Sequence, residues 1–191
     1  MGIAIPPKAA ERELGVMSAF QLSQSDCDKI INLHKDSQNP HKTSRIQTEN
    51  SNVVDIATRD TDIWVIHENN NWVDALICTA AITANEQFKL NLSGLVERPQ
   101  LLKYDAPSNG YDWHTDIGYG DHSTRKISIS IILNDGYEGG DVGFFSTGET
   151  LITPDRGMAI CFPAFMPHRV TPLTKGTRWS LVCWVSGDPF R

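Results

Sequence analysis

From residue 98 onward, short runs of β-branched, aromatic and aliphatic residues alternate with Gly, Pro, Asn and Asp, and that rhythm limits the fold more than any other feature. Runs at 100–104, 127–133, 142–145, 149–152, 158–162, 168–171 and 178–185 each read as a strand. Closely spaced strands with turn signals between them indicate a sandwich or jelly roll. The expected fold class is therefore mainly β with flanking helices.

The first half of the chain reads differently. Residues 1 to about 16, with Pro6 and Pro7, form an arm, and a short strand is expected at 15–22. A helix should follow, because Ser25 and Asp28 resemble a capping box and Cys27, Ile30, Ile31 and His34 then share one helical face. The stretch 36–60 is polar and without sustained periodicity, so it reads as a loop holding at most pieces of strand. Trp72, Leu76, Ala80, Ala84 and Phe88 recur every four residues, which predicts a second helix over 71–91 covering the outside of a sheet. At 191 residues the chain is long enough for one substantial core. One domain is expected over 1–191, with 1–97 as arm and supporting helices and 98–191 as the jelly-roll core.

Charge and cysteine usage exclude several functions. A net charge of −6 and a sequence pI near 5.4 argue against a broad phosphate-binding face, so no nucleic-acid partner is expected. Cys27, Cys78, Cys161 and Cys183 form no CxxC pattern and read as buried thiols in a reducing compartment. The first 17 residues lack a basic segment followed by an apolar one, and no apolar stretch near ~20 residues follows. A cytoplasmic protein without a membrane association is the expectation.

Within the strand-rich region, His114 and Asp116 stand two apart, so on an extended segment both side chains leave one face and can chelate the same ion. His168 follows Met166 and Pro167 and opens an apolar run. Two imidazoles and a carboxylate on one face of a metal form the facial triad of non-haem Fe(II) oxygenases, with the remaining positions open. Each part has a plainer reading, H-x-D as a surface turn and His168 as a core histidine bonded to backbone. Ten residues on, Arg178, Ser180, Val182 and Trp184 share one face of a strand, and Trp179, Leu181, Cys183 and Val185 the other. A guanidinium on a buried strand needs an anion, and its planar fork matches a carboxylate, from a ligand or from the protein itself. Tyr104, ending its strand beside Leu102, could donate to the same ligand carboxylate or simply fill the core.

The order Tyr104, His114-x-Asp116, RKISISIILND from Arg125, EGGDVGFF from Glu138, His168 and Arg178-x-Ser180 resembles the Fe(II)/2-oxoglutarate-dependent dioxygenase superfamily, and within it the prolyl-4-hydroxylase-like branch with its microbial and phage members. The resemblance covers about residue 100 to the C-terminus. It implies a distorted double-stranded β-helix, a jelly roll with helices packed on one sheet. It further implies Fe(II) held by His114, Asp116 and His168, and 2-oxoglutarate held through its distal carboxylate by Arg178 with support from Ser180 and Tyr104. The reaction it implies is hydroxylation of an unactivated C–H bond by O2, with succinate and CO2 as co-products and ascorbate as reductant. A peptidyl proline or other protein side chain is the first substrate choice, a free amino acid or small molecule the second. Collagen-type members are expected to carry Lys in place of Arg178, and the oxygen-sensing type a Tyr near Ile132; these departures bear on the substrate rather than the cofactors.

Two rival readings stand beside this one. Two His and one Asp with an open position also suit a zinc hydrolase, though that leaves Arg178 and Tyr104 without a role. A non-catalytic metal-binding jelly roll is the other. Among remaining candidates, Gly139 and Gly140 read as a turn, Trp113 as core, and His34, His41 and His67 as structural or solvated. His122 stays open as a site residue. The loops 105–112 and 117–125, with Gly118 and Gly120, could close over substrate, and Ser128, Ser130 and Ile132 share a face that would line the cavity.

Overall fold

The computed structural model describes residues 15–35, 41–43, 46–48, 51–53 and 61–189, with side chains described for 15–35 and 61–189. The expected arm with Pro6 and Pro7 lies almost entirely outside the described residues. In chain order the elements are β1 (Met17–Gln21), α1 (Gln24–Asn32), β2 (His41–Thr43), β3 (Ile46–Thr48), β4 (Ser51–Val53), β5 (Asp62–Val65) and α2 (Asn71–Phe88). There follow β6 (Gln100–Asp105), β7 (Tyr111–His114), β8 (Arg125–Ile132), β9 (Glu138–Gly139), β10 (Val142–Phe145), β11 (Glu149–Ile152), β12 (Met158–Pro163), β13 (His168–Val170), β14 (Leu173–Lys175) and β15 (Thr177–Ser186).

Two antiparallel sheets make the body. One has seven strands in the order β1-β12-β8-β15-β6-β5-β2, and the other four in the order β11-β10-β13-β7. Val142 and Phe144 of the smaller sheet pack against Ile160 and Phe162 of the larger, so the sheets face each other as a jelly roll, mainly β with helices on the outside.

Period-two alternation in the central strands assigns each side chain to one of two layers. Ile127, Ile129 and Ile131 of β8, Leu181, Cys183 and Val185 of β15, and Ala159 and Cys161 of β12 face the helices. Ser128, Arg178, Ser180 and Trp184 leave by the opposite face, toward the smaller sheet. Each Ile or Phe fully buried in the helical layer contributes about 1.5–3 kcal/mol of transfer free energy, so this layer carries most of the burial while the other face is left for polar side chains.

The helices conform to the sequence reading with two corrections. The cap of α1 is Ser23, not Ser25: the Ser23 hydroxyl accepts from the Asp26 N–H at 3.1 Å and donates to the Asp26 carboxylate at 2.8 Å. In α2 the buried stripe is Val73, Ile77, Ala80, Ala81, Ala84 and Phe88, whereas Trp72 is 38% exposed. At 3.6 residues per turn an every-fourth series rotates about 40° per step, so five members cannot all face one sheet. The helix stops at Lys89, left-handed with φ +49°, where the Asn85 side chain bonds both the N–H and the C=O of Leu90.

Four strands escaped the sequence reading: β5, β7, and the short β9 and β14, which pair with each other. β5 pairs with β6 and β2 and follows polar sequence without alternation long enough to mark it; β7 pairs with β13. Trp113 is not core: on the outer side of β7 it is 38% exposed, edge-on to Phe145 and 5.1 Å from the Arg169 guanidinium. His34 is structural, packed between Trp64 and Trp179 with its Nδ1 on the Ile31 carbonyl. The side chain of His41 is outside the described residues. No helix among the described residues is long and apolar enough to cross a membrane.

All four cysteines are unpaired, and Cys78 corrects the expectation of four buried thiols because it sits on the outward side of α2. Burial pushes the Cys161 and Cys183 thiols up to about 12 and raises that of Cys27. Since the thiolate is the nucleophile, an aromatic disulfide reagent near pH ~8 is expected to label Cys78 rapidly and the other three only after denaturation. Fast reaction of a second thiol in the folded protein would contradict this packing.

Candidate active site

His114 ends β7 and His168 opens β13, and the two are register partners across that antiparallel pair. Their rings lie 4.1 Å apart. Asp116 sits just beyond the end of β7, where its N–H donates to the Ala164 carbonyl at 2.9 Å. One ligand atom from each of His114, Asp116 and His168 falls within 4.8 Å of the others. The His114 Nε2 is 3.8 Å from Asp116 Oδ1, and the His168 Nε2 is 3.5 Å from Oδ2.

Both histidines are oriented by the same local device. Nδ1 of His114 lies 2.7 Å from the Asp112 carbonyl and Nδ1 of His168 3.0 Å from the Met166 carbonyl, in each case two residues upstream. A carbonyl only accepts, so Nδ1 carries a proton, and Nε2 is the ring nitrogen directed at Asp116 and free to serve as the ligand atom once unprotonated. Fixing the tautomer through the far nitrogen is how metal-binding histidines are held.

Asp116 is enclosed. Burial pushes its carboxyl pKa up, but the imidazoles of His168 and His114 and hydrogen bonds from Ser128 and Trp184 outweigh this and hold it below the ordinary carboxylate value. The Ser128 hydroxyl donates to Oδ2 at 2.5 Å. An ionised carboxylate beside two imidazole Nε2 atoms is a donor set suited to a divalent cation with open positions, such as Fe(II).

Arg178 lies on the same face of β15 as Trp184 and is only 1% exposed. Its Nη1 donates to the Ser180 hydroxyl at 3.1 Å, a further N–H reaches the Tyr137 phenol, and Nε has no acceptor. Tyr104, its register partner on β6, presents its ring 5.7 Å from the guanidinium and is also 1% exposed. No carboxylate pairs with Arg178 among the described residues. A Cβ at Gly140, where φ is +71°, would lie 2.8 Å from Arg178 Cδ, so glycine is what leaves this arginine its place. A buried guanidinium with an unused donor fits an incoming carboxylate such as that of 2-oxoglutarate.

The structure thus brings His114, Asp116 and His168 into one cluster and Tyr104, Arg178 and Ser180 into another. Of the cavity-face residues, Ser128 touches Asp116 and Ile132 is fully buried. His122 lies in the short 3-10 turn Gly120–Thr124 and is not in the metal-type cluster; burial and the Arg125 charge lower its pKa. Sequence reasoning missed Tyr137, Trp184 and Arg125 as neighbours of the site. The alternation that put Trp184 on the face of Arg178 was the available signal for one of them.

A sequence model of the 2OG-Fe(II) oxygenase superfamily matches residues 99–186, the stretch that holds every residue of both clusters. Over these residues the chain is similar to this superfamily. The chain is similar to a PKHD-type hydroxylase of Synechococcus sp. strain CC9902, 32% identical over 88 residues that cover 44% of this chain and 40% of the relative. It is 28% identical over 137 residues to a PKHD-type hydroxylase of Psychrobacter sp. strain PRwf-1, covering 62% of this chain and 53% of that one. The chain therefore matches about half or less of the length of these relatives. A prolyl-4-hydroxylase of Pseudomonas putida shares its fold with a TM-score of 0.71 at 20% identity, over 92% of this chain and 94% of the other. A Trichoplax adhaerens prolyl hydroxylase, solved with a hypoxia-inducible-factor peptide fragment, has a TM-score of 0.71 at 17% identity, covering 91% of this chain and 83% of that one. The expected superfamily resemblance agrees with the match over residues 99–186, and the expected fold is the one shared with these prolyl hydroxylases.

Proposed function

We propose that this protein is an Fe(II)- and 2-oxoglutarate-dependent hydroxylase of an unactivated C–H bond, with a peptidyl proline or another protein side chain as substrate and succinate and CO2 as co-products. The observation that carries this reading is the pairing of a His-Asp-His cluster with a buried arginine that has no carboxylate partner among the described residues. Fe(II) and 2-oxoglutarate, when bound, supply O2 activation coupled to oxidative decarboxylation.

The remaining work belongs to the chain. His114 and His168 present Nε2 lone pairs, and Asp116 adds the negative charge that suits a divalent ion. Arg178, with Ser180 and Tyr104 beside it, would hold the distal carboxylate through its guanidinium. Ile132 and Val182, on the same strand faces as Ser128 and Ser180, line the cavity with apolar surface that excludes water. In this reading residues 98–191 form the catalytic core, and the helices and strands before it support the large sheet as part of one domain.

A protein substrate is supported by exposed aromatic surface beside the cluster. Tyr119 is 82% exposed on the loop after Asp116, and Phe165, next to the Ala164 that accepts from the Asp116 N–H, is 36% exposed. Rings placed this way suit an extended peptide laid across the site. The peptide held by the Trichoplax neighbour supports the same choice. The four unpaired cysteines suit a reducing compartment, and the cytoplasm is our assignment.

The test is succinate formation from 2-oxoglutarate by the purified protein with Fe(II), O2 and ascorbate, with and without a panel of proline-containing peptides. Turnover stimulated by peptide, with an added oxygen atom on the peptide in mass spectra, is the expected outcome. Absence of turnover together with absence of anaerobic 2-oxoglutarate binding would overturn the reading.

A further inference from the structure

Asp116 stands outside any strand ladder, so something other than sheet pairing must aim its carboxylate. Ser128 fixes one oxygen. The other constraints converge from a residue pair that contributes no ligand atom to the metal-type cluster.

Glu97 lies between α2 and β6. Its two carboxylate oxygens grip Arg125, Oε1 on Nε and Oε2 on Nη2, each at 2.5 Å. Arg125 opens β8 and spends its third donor, Nη1, on the backbone carbonyl of Asp116 at 3.0 Å. Its guanidinium lies over the Trp184 indole, 3.8 Å from the ring centroid. The Trp184 side chain hydrogen-bonds the Asp116 carboxylate, and an indole N–H can only donate. One ion pair therefore holds Asp116 at both ends, at the main-chain carbonyl directly and at the carboxylate through Trp184. The adjacent Arg98 ties this segment to α2, with Nη1 on Asp74 at 2.8 Å and further bonds to the carbonyls of Ile66 and His67.

We propose that Glu97 and Arg125, with Trp184 stacked between them and the cluster, are positioning residues that aim the Asp116 carboxylate at His114 and His168 and thereby set metal affinity. The inference rests on the reading of His114, Asp116 and His168 as a metal site. With Arg125 over the indole and clamped by Glu97, Trp184 is held where its N–H meets Asp116. Loss of Glu97's charge frees the guanidinium, and with it the turn that carries Asp116. Partners at this remove from a metal are worth about 10- to 100-fold in affinity.

The experiment is an anaerobic Co(II) titration of the metal-free full chain, followed by the visible absorption of the bound ion, for wild type, Glu97→Gln, Arg125→Lys and Trp184→Phe. Thermal midpoints are measured alongside without metal. Each variant is expected to bind Co(II) about 10- to 100-fold more weakly, at a temperature where it is fully folded, and with an altered absorption band. Trp184→Phe keeps a ring under Arg125 and removes only the N–H, so it reads the proposal even if an ion-pair variant does not fold. Variants that melt earlier yet bind Co(II) with wild-type affinity and band shape would show a purely structural clamp and overturn the proposal, leaving the metal site intact. Failure of wild type itself to take up Co(II) would instead overturn the metal reading, and this inference with it.

Discussion

Arg178→Met is expected to abolish 2-oxoglutarate binding while leaving the fold as stable as wild type, or more so. The guanidinium is 1% exposed, holds Ser180 and Tyr137 with two of its donors, and leaves Nε without an acceptor. A buried charge lacking an ionic partner costs several kcal/mol, and replacing buried ions by well-packed apolar residues is often neutral or stabilising by ~1–4 kcal/mol. Methionine is unbranched and can follow the channel that Gly140 leaves for the arginine stem. Binding responds in the opposite direction. Removing one partner of a buried, hydrogen-bonded charge pair costs about 2–5 kcal/mol, which is roughly a 30- to several-thousand-fold loss of affinity. Calorimetric titration of 2-oxoglutarate into the metal-loaded, anaerobic protein measures one effect and thermal unfolding the other. Arg178→Lys should fall between, since a point charge cannot reproduce the fork. A variant that unfolds readily but still binds 2-oxoglutarate would assign Arg178 to the core instead of a ligand.

Asp116→Asn is expected to remove metal binding and turnover with little change in the fold. The amide is the same size as the carboxylate but neutral, and it has one acceptor oxygen where Asp116 offers two. Ser128 and Trp184 both donate to this side chain, so the Asn oxygen that satisfies them is withdrawn from the ion, while an NH2 turned toward the ion offers no lone pair. Loss of a direct ligand should exceed the ~100-fold upper range typical of residues one step further out. Equilibrium dialysis against Fe(II) or Co(II), with succinate formation measured in parallel, checks it. Retention of metal at near wild-type affinity would show that the ion, if bound, sits elsewhere.

Much of the site could be read from residue spacing because it is carried by strands whose faces follow period two. Arg178 and Ser180 leave β15 together, and Leu181, Cys183 and Val185 leave it on the helical side, as the alternation requires. The same rule failed at Trp113. Alternation turns Trp113 away from His114 and so suggests core, but the four-stranded sheet is open to solvent on its outer side, and a strand cannot report which of its faces is covered. In α2 the local pattern found the helix but misaligned its buried stripe, because the sheet beneath selects among neighbouring apolar residues. Ser25 and Ser23 are equally good caps in sequence, each with an Asp three residues on; the fold separates them, since Ser23 and Asp26 close the reciprocal pair while Asp28 pairs with Arg156.

By itself the sequence determined the strand-rich class, the residue types of both clusters, and the face on which Arg178, Ser180 and Trp184 stand. These depend on short periods and on the few side chains able to bind a divalent ion or a carboxylate. Only the tertiary structure decided that the two histidine Nδ1 atoms are spent on carbonyls, that Arg178 has no carboxylate partner among the described residues, and that Glu97 reaches Asp116 through Arg125 and Trp184. Those contacts join residues as far as 28 positions apart in the Glu97–Arg125 pair, and more from Asp116 to Trp184. Sheet register and burial bring them together, and neither is encoded in the spacing of residues along a single strand.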